Sequence, residues 1–321
     1  MSLNDFLLTR RRLLSQAAAA VPLAAFGTAA SAATVPHLNF PTRPRDRLAV
    51  TSYPFRAYID TPTNTGRDAS KPPMDLKEFP AMIARRFDIY NINPLADHFH
   101  STDEKYLDAF RAAVQAAKSH MVGLGLGGRK FYDRDRSVRD EAVAYGCKGI
   151  DIARHVGSPS VRQHIHNSPG AKPSVGLAAE SLRRLADYGA KHNIVVNLEN
   201  DAAVSEDPFF LVAVINRVNS PYLRALPDFG NTLSHHNEAY NERGLNAMFA
   251  HAFNMAHVKN IITRKGGEVF KVDVPKGFSI AAAHEYRGYF SMEYDTGSGD
   301  PFEGTDQLIA QSLDCLSGNP K

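Results

Sequence analysis

The sequence predicts an α/β fold, a single-domain (β/α)8 TIM barrel. Short apolar runs that suit β-strands recur eight times over about 250 residues, and helix-compatible segments separate them. No linker-like composition interrupts the chain after residue 46, which favours one domain over residues 47–321. The eight predicted strands are residues 47–53, 87–93, 121–126, 149–153, 193–199, 223–228, 253–259 and 289–294.

Two segments between the predicted strands show the helical period clearly. Apolar residues recur at three- and four-residue spacing over residues 103–120 and 175–192, as expected for helices that pack one face on a barrel. The stretch from Ile59 to Pro73 is rich in Thr, Pro and Asp and has no such period. We expect it to form a long loop over the mouth of the barrel.

A second fold class has a competing signal in the third predicted strand. Glycines at 123, 125 and 128 fit the G-x-G-x-x-G pattern of dinucleotide-binding folds. That pattern should open a helix after the first strand, whereas here charged residues 133–136 follow and the strand is the third. The alternative is a barrel strand whose glycines leave space beneath a ligand.

The first 32 residues resemble a twin-arginine signal peptide. Arg10, Arg11 and Arg12 precede an uncharged, Ala-rich stretch that ends in Ala30-Ser31-Ala32, a small-x-small cleavage pattern. We therefore expect the twin-arginine export machinery as a partner of the precursor, a periplasmic location, and no stable membrane insertion after cleavage. The alternative is an anchor that is never cleaved. Residues 33–46 would form an N-terminal extension of the barrel.

Charge and cysteine content exclude several classes of partner and site. The formal charge of +3 falls to +1 when residues 1–32, with three arginines and Asp5, are removed. A near-neutral chain gives no electrostatic basis for binding nucleic acid. Two cysteines, Cys147 and Cys315, do not make a disulfide scaffold or a cysteine-based metal site.

Four successive predicted strands end in a potential metal ligand: Glu199, Asp228, His257 and Glu293. The carboxyl ends of barrel strands face the active site, so these side chains should converge. Three carboxylates and one imidazole suit a divalent cation, with Mn²⁺ the first choice and Mg²⁺, Co²⁺, Zn²⁺ or Fe²⁺ also compatible. The alternative is a set of salt bridges at the barrel mouth, with Lys259 as the main basic partner.

The segments around these residues resemble the sugar phosphate isomerase/epimerase family, the xylose-isomerase-like TIM barrels. NLEN, PDFGN, HVKN and MEYD occur in the family's order and spacing, and GIDIARHVGSPSVR is similar to its fourth strand and following turn. The resemblance covers residues 47–316 and implies that the four residues bind the metal. The 59–73 insertion and the NINPLADHFHS segment depart from the family pattern.

The resemblance also implies roles at the site. Glu199 and Glu293 would exchange protons with a carbon next to a carbonyl, while the metal holds the carbonyl and the adjacent hydroxyl. Lys259 could donate to a substrate oxygen, or could form a rim salt bridge instead. Other predicted substrate-binding residues lie at further strand ends: Asn93, His98, His164 and Asn231.

The leading functional hypothesis is an exported, metal-dependent sugar isomerase or epimerase acting on a keto sugar or polyol derivative. A lyase that eliminates the C1 substituent of a 3-keto-glycoside could use the same site. A metal-dependent nuclease would need a basic groove and more histidine ligands. A non-catalytic sugar-binding protein is the remaining class, and the oligomeric state is left open.

Overall fold

The computed structural model describes residues 35–318 except 202, 265, 296 and 298. The predicted signal peptide, residues 1–32, lies outside the described residues. The predicted TIM barrel is confirmed, with parallel strands enclosed by helices. The strands are β1 (Leu48–Thr51), β2 (Asn91–Asn93), β3 (His120–Met121), β4 (Leu124–Gly125), β5 (Ser160–Gln163), β6 (Val195–Glu199), β7 (Leu223–Leu226), β8 (Met255–Val258), β9 (Ile261–Thr263), β10 (Val269–Lys271) and β11 (Tyr289–Met292).

The barrel closes from two arcs of parallel strands. One arc has the order β3-β2-β1-β11-β8 and the other has the order β4-β5-β6-β7. Parallel bridges from Asp228 to His257 and from Leu95 to Gly125 join the arcs. Since β3 and β4 are two pieces of one barrel strand, eight strand positions surround the interior. Strands β9 and β10 form a separate antiparallel hairpin after β8.

Eight helices in the described part of the chain cover the strands. They are α1 (Phe79–Phe87), α2 (Glu104–Ala116), α3 (Arg136–Val156), α4 (Val175–His192), α5 (Pro208–Val218), α6 (Glu238–Phe249), α7 (Val274–Ala283) and α8 (Pro301–Leu316). The two predicted helices correspond to α2 and α4. Asp103 and Ser174 accept hydrogen bonds from first-turn backbone N–H groups of these helices, which explains where each helix begins.

The prediction of a fourth strand at residues 149–153 is wrong. These residues lie inside α3, where Gly149, Ile150 and Ala153 share the buried face of the helix. Their spacing of one, three and four suits a helix packed on the core. The barrel strand at this position is β5, whose sequence SVRQ contains buried Arg162 and Gln163 in place of an apolar run. An apolar pattern therefore could not identify it.

The dinucleotide-binding interpretation of the glycine pattern is also wrong. Gly125 lies in β4, and no helix begins until Arg136. A Cβ atom at Gly125 would lie 2.5 Å from Leu95 Cδ2 and 2.9 Å from Arg162 Nη2. The glycine thus lies in a barrel strand, as the alternative interpretation proposed, and makes room for side chains of the barrel interior; space beneath a ligand stays a prediction.

The chain before β1 packs against the barrel without forming a helix or strand between residues 35 and 44. Phe40 contacts Phe253 and Tyr289 edge-on, with ring centroids 5.4 and 6.0 Å apart. Residues 59–73 form the predicted loop after β1, and Thr61 Oγ1 donates to the Asp97 carbonyl beyond β2. Within the described residues, no helix combines the length and the hydropathy needed to cross a membrane.

Candidate metal centre

The barrel brings the four predicted metal ligands together. Glu199 ends β6, Asp228 follows β7, His257 lies in β8 and Glu293 follows β11. His257 is in register with Asp228 on one side and with Ser291, two residues before Glu293, on the other. One ligand atom from each of the four residues lies within 4.8 Å of the others, and all four residues are buried.

Glu199 is held by three basic side chains. Arg162 Nη1 donates to Glu199 Oε2 at 2.7 Å, and His164 Nε2 lies 2.7 Å from the same oxygen. His257 Nδ1 lies 2.5 Å from Glu199 Oε1. Burial alone would raise the pKa of Glu199, but the charges of His257 and Arg162 and the bond with His164 more than offset it and hold the pKa well below its usual value. Glu199 is therefore an ionised but weakly basic carboxylate.

Glu293 and Asp228 share a different cation. Lys259 Nζ donates to Glu293 Oε1 and lies 3.5 Å from Asp228 Oδ2. Burial would lower the pKa of Lys259, but the charges of Asp228 and Glu293 outweigh it and raise the pKa well above its usual value. Lys259 is thus a buried ammonium group inside the site, not a salt bridge at the exposed rim.

Asp228 is the carboxylate that the protein compensates least. Its Oδ1 accepts hydrogen bonds from the backbone N–H groups of Gly230 and Asn231 at 2.9 and 2.7 Å. Burial, opposed by the charge of Lys259, raises the pKa of Asp228 to about 7. This carboxylate would gain most from additional positive charge nearby.

The residues fit a divalent cation. Asp228 Oδ2 and Glu293 Oε2 are buried oxygens that make no hydrogen bond within the described residues. Both belong to the four-residue cluster, and carboxylate oxygens with one imidazole nitrogen form a hard ligand set suited to Mn²⁺ or Mg²⁺. The alternative of salt bridges accounts for Glu199 Oε2 and Glu293 Oε1. It gives the other two oxygens only ion-pair contacts, with Lys259 Nζ 3.5 Å from Asp228 Oδ2 and His257 Nδ1 3.1 Å from Glu293 Oε2, and no hydrogen bond.

Three of the predicted substrate-binding residues lie directly at the cluster. His164 contacts Glu199 and lies 3.4 Å from Asp201 Oδ2. Lys259 contacts Glu293, as described above. Asn231 donates its backbone N–H to Asp228. Contact of these side chains with a substrate stays a prediction.

The other two predicted substrate-binding residues point away from solvent. His98 Nδ1 bonds with Ser52 Oγ at 2.7 Å, and burial, with the charges of Arg56 and Arg162, lowers the pKa of His98 to about 3. Asn93 Nδ2 donates to His257 Nε2 at 2.8 Å. The structure places His98 between the ends of β1 and β2 and Asn93 behind His257. Substrate contact by either residue stays a prediction.

Arg162 is the important site residue that the sequence did not indicate. Because the fourth strand was expected at residues 149–153, Arg162 was assigned to the turn that followed it. The structure places it in β5, buried, where it contacts Glu199. A polar residue two positions before His164 was the available signal, since alternate residues of a strand share a face.

The sequence profile of the xylose isomerase-like TIM barrel family matches residues 86–317, which is more than half of the chain. The chain belongs to this family. Among curated proteins, none matches the chain.

Solved structures share the fold at low sequence identity. D-allulose 3-epimerase from Methylomonas sp., in complex with D-allulose, is 15% identical with a TM-score of 0.63, covering 88% of this chain and 99% of its own. A xylose isomerase-like TIM barrel protein from Mycobacterium smegmatis, in complex with magnesium, is 16% identical with a TM-score of 0.63, covering 85% and 97%. The 3-keto-D-glucoside 4-epimerase of E. coli is 13% identical with a TM-score of 0.60, covering 85% and 99%.

Proposed function

We propose that the protein is a divalent-metal-dependent sugar isomerase or epimerase that removes a proton from a carbon next to a carbonyl. The observation that carries this proposal is the buried cluster of Glu199, Asp228, His257 and Glu293, with ligand atoms within 4.8 Å of one another. Membership of the xylose isomerase-like family supports it. Mn²⁺ is the first choice of metal, on the grounds of ligand chemistry.

Individual residues of the site would have distinct roles in the reaction. The cation, when bound, would act as a Lewis acid toward the substrate carbonyl and the neighbouring hydroxyl. Glu293 has one buried oxygen without a hydrogen bond and is the better candidate to remove the proton. Lys259, an ammonium group beside Glu293, would stabilise negative charge that develops on the substrate oxygen. Glu199 would return a proton on the opposite face after taking it from His164 Nε2, which lies 2.7 Å from Glu199 Oε2.

The substrate class is a keto sugar or a derivative of one. Two of the proteins with similar folds are epimerases whose names specify D-allulose and 3-keto-D-glucoside. A buried site with an ammonium group suits a substrate that becomes an enediolate, and keto sugars form this intermediate when a proton leaves the carbon beside the carbonyl. Nucleic acid is a poor candidate, given the near-neutral charge of the chain.

A second candidate function is a lyase that acts on a 3-keto-glycoside. One observation favours it: the two glutamates have unequal partners. Three basic side chains, Arg162, His164 and His257, hold Glu199. In β-elimination one base removes a proton from C2 while the C1–oxygen bond breaks and the leaving oxygen is protonated. Glu293 could be the base. The side chains around Glu199, Arg162 and His164, would then lie nearest the leaving oxygen.

We also propose that the protein is exported through the twin-arginine route. The proposal rests on Arg10, Arg11 and Arg12 and the Ala-rich segment that follows them. Folding before export would let the cell choose the metal, because affinity alone would favour Cu²⁺ or Zn²⁺. Changing all three arginines to lysine should leave precursor in the cytoplasm. Unchanged periplasmic levels of the mature form would argue against this route.

A screen of Mn²⁺-loaded protein against keto sugars and 3-keto-glycosides, followed by NMR in D₂O, tests the function. An epimerase should invert one centre and incorporate deuterium there. A lyase should release the C1 substituent and form an unsaturated keto sugar. Neither turnover nor deuterium exchange with any member of either class would contradict both candidate functions.

A further inference from the structure

The two ring nitrogens of His257 have different surroundings. Nδ1 faces Glu199 Oε1 at 2.5 Å and Glu293 Oε2 at 3.1 Å, on the side of the ligand cluster. Nε2 faces the opposite way and bonds with Asn93 Nδ2 at 2.8 Å. The ring is fully buried, so Nε2 cannot exchange its partner for bulk water. The amide of Asn93 therefore determines what Nε2 can do.

The position of the ring proton must change when a cation binds. Without a cation, Nδ1 carries a proton that faces Glu199, and Asn93 Nδ2 lies 2.8 Å from Nε2. A nitrogen that binds a metal must be free of its proton. If Nδ1 is the ligand atom, a neutral His257 carries its proton on Nε2, and this buried N–H then requires an acceptor.

Asn93 has an oxygen that is available to accept a hydrogen bond. Its Oδ1 is buried and makes no hydrogen bond within the described residues. An asparagine amide carries donor and acceptor on one flat group, so half a turn about the Cβ–Cγ bond exchanges them. Gly123 provides the space beside this amide, because a Cβ at that position would lie 3.2 Å from Asn93 Oδ1.

We propose that Asn93 is a positioning residue for the metal ligand His257. Its amide presents Oδ1 to the Nε2–H of His257 when the cation is bound, which fixes Nδ1 as the ligand atom. This inference rests on the proposed metal site, and it gives Asn93 a role behind His257 that differs from the predicted contact with substrate. Asparagine suits the position because it serves both proton arrangements of the ring.

Three variants test the proposal by metal binding without any assay of turnover. Asn93→Leu removes the acceptor at similar size, Asn93→Asp keeps an acceptor in either orientation, and Asn91→Leu is the matched control. Asn91 is a buried asparagine of the same strand whose amide donates to the carbonyls of Asp46 and Leu48. Metal-free proteins are titrated with Mn²⁺ by calorimetry, and unfolding midpoints are measured in parallel.

We expect Asn93→Leu to weaken Mn²⁺ binding by about 10–100-fold, the usual effect of losing an outer partner of a ligand. Asn93→Asp should bind within a few-fold of wild type or more tightly. Asn91→Leu should lower the unfolding midpoint and leave the Kd unchanged. An unchanged Kd in Asn93→Leu overturns the proposal, and so does an Asn93→Asp protein that binds as weakly as Asn93→Leu.

The wild-type protein provides an independent measurement if Asn93→Leu does not fold. In Mg²⁺-loaded protein with ¹⁵N-labelled histidine, His257 should carry its proton on Nε2, and a proton on Nδ1 overturns the proposal. Failure of the wild type to bind Mn²⁺, Mg²⁺ or Co²⁺ removes the metal site itself and with it the proposed function. Tight wild-type binding that is insensitive to Asn93 removes only this inference.

Discussion

The barrel contains two buried polar layers. They differ in how far the protein's own hydrogen bonds and opposite charges compensate their polar groups. Asn197 and Glu199 lie two residues apart in β6, so their side chains share a face of the strand. In the layer of Asn197, the Nδ2 of Asn197 donates to Asn254 Oδ1 and Asn254 Nδ2 donates to Ser160 Oγ, both at 2.9 Å. This neutral layer joins three strand positions. The layer of Glu199 holds three carboxylates, and two of their oxygens have no hydrogen bond within the described residues.

The difference separates a structural layer from a binding layer. Neutral amides and hydroxyls can satisfy one another at little net electrostatic cost, and the oxygen left over in this layer, Asn197 Oδ1, carries no net charge. Buried carboxylates that lack full compensation destabilise the folded state unless another cation arrives. The protein tolerates that arrangement in the layer at the carboxyl ends of the strands, which is where a barrel binds its ligands.

The largest expected effect is on turnover at the two glutamates. Glu199→Gln and Glu293→Gln keep an oxygen ligand but remove the carboxylate, so turnover should fall by ~10²–10⁴-fold. If Glu293 is the base, its variant should also lose deuterium exchange into substrate, whereas Glu199→Gln should retain part of it. Metal content is measured in both. Near wild-type turnover in either fully metallated variant would reject a role for that glutamate in catalysis.

Loss of metal should be the next largest effect. Asp228→Ala removes one ligand oxygen, so Mn²⁺ content after dialysis should fall well below one ion per chain. The stabilisation of the folded state by Mn²⁺ should fall with it, because the ion binds only the folded state. Elemental analysis and thermal unfolding measure the two quantities. Full occupancy in this variant would remove Asp228 from the ligand set.

The neutral layer should respond in stability alone. Asn254→Ala leaves Asn197 Nδ2 without its acceptor and removes the hydrogen bond to Ser160 Oγ, which keeps its bond to the Val122 carbonyl, so the free energy of unfolding should fall by about 1–3 kcal/mol. The affinity for Mn²⁺ should equal that of wild type. Urea unfolding and calorimetric titration check this pair of results, and weaker metal binding with normal stability would show that the layers are not independent.

The smallest expected effect concerns the buried His98–Ser52 pair. Burial lowers the pKa of His98 to about 3 from an ordinary value of 6.5, so the unfolded chain takes up a proton first as the pH falls. The contribution of neutral His98 to the free energy of unfolding is complete above pH 6.5 and is lost progressively toward pH 3. Relative to His98→Gln, wild type should lose roughly 1 kcal/mol between pH 7 and 5.5. Parallel pH curves for the two proteins would contradict the assignment.

The sequence was most informative where a single residue breaks an apolar run. Glu199 ends a strand that is mostly apolar and His257 lies in one that is otherwise apolar, so both the strand and the candidate ligand could be predicted. It was least informative at β5, because Arg162 and Gln163 make that strand polar, and the helical run before it resembled a strand. The direction of Asn93 could not be predicted either, since it depends on the distant residue His257 across the barrel.

The glycines of the third barrel strand restrict how the protein can be redesigned. A side chain at Gly123 would meet Met255 Cε at 2.7 Å, and one at Gly125 would meet Leu95 and Arg162. A selection library aimed at new sugars would therefore lose folded members if it randomised these two positions. Variation is better placed at His166, which is exposed after β5.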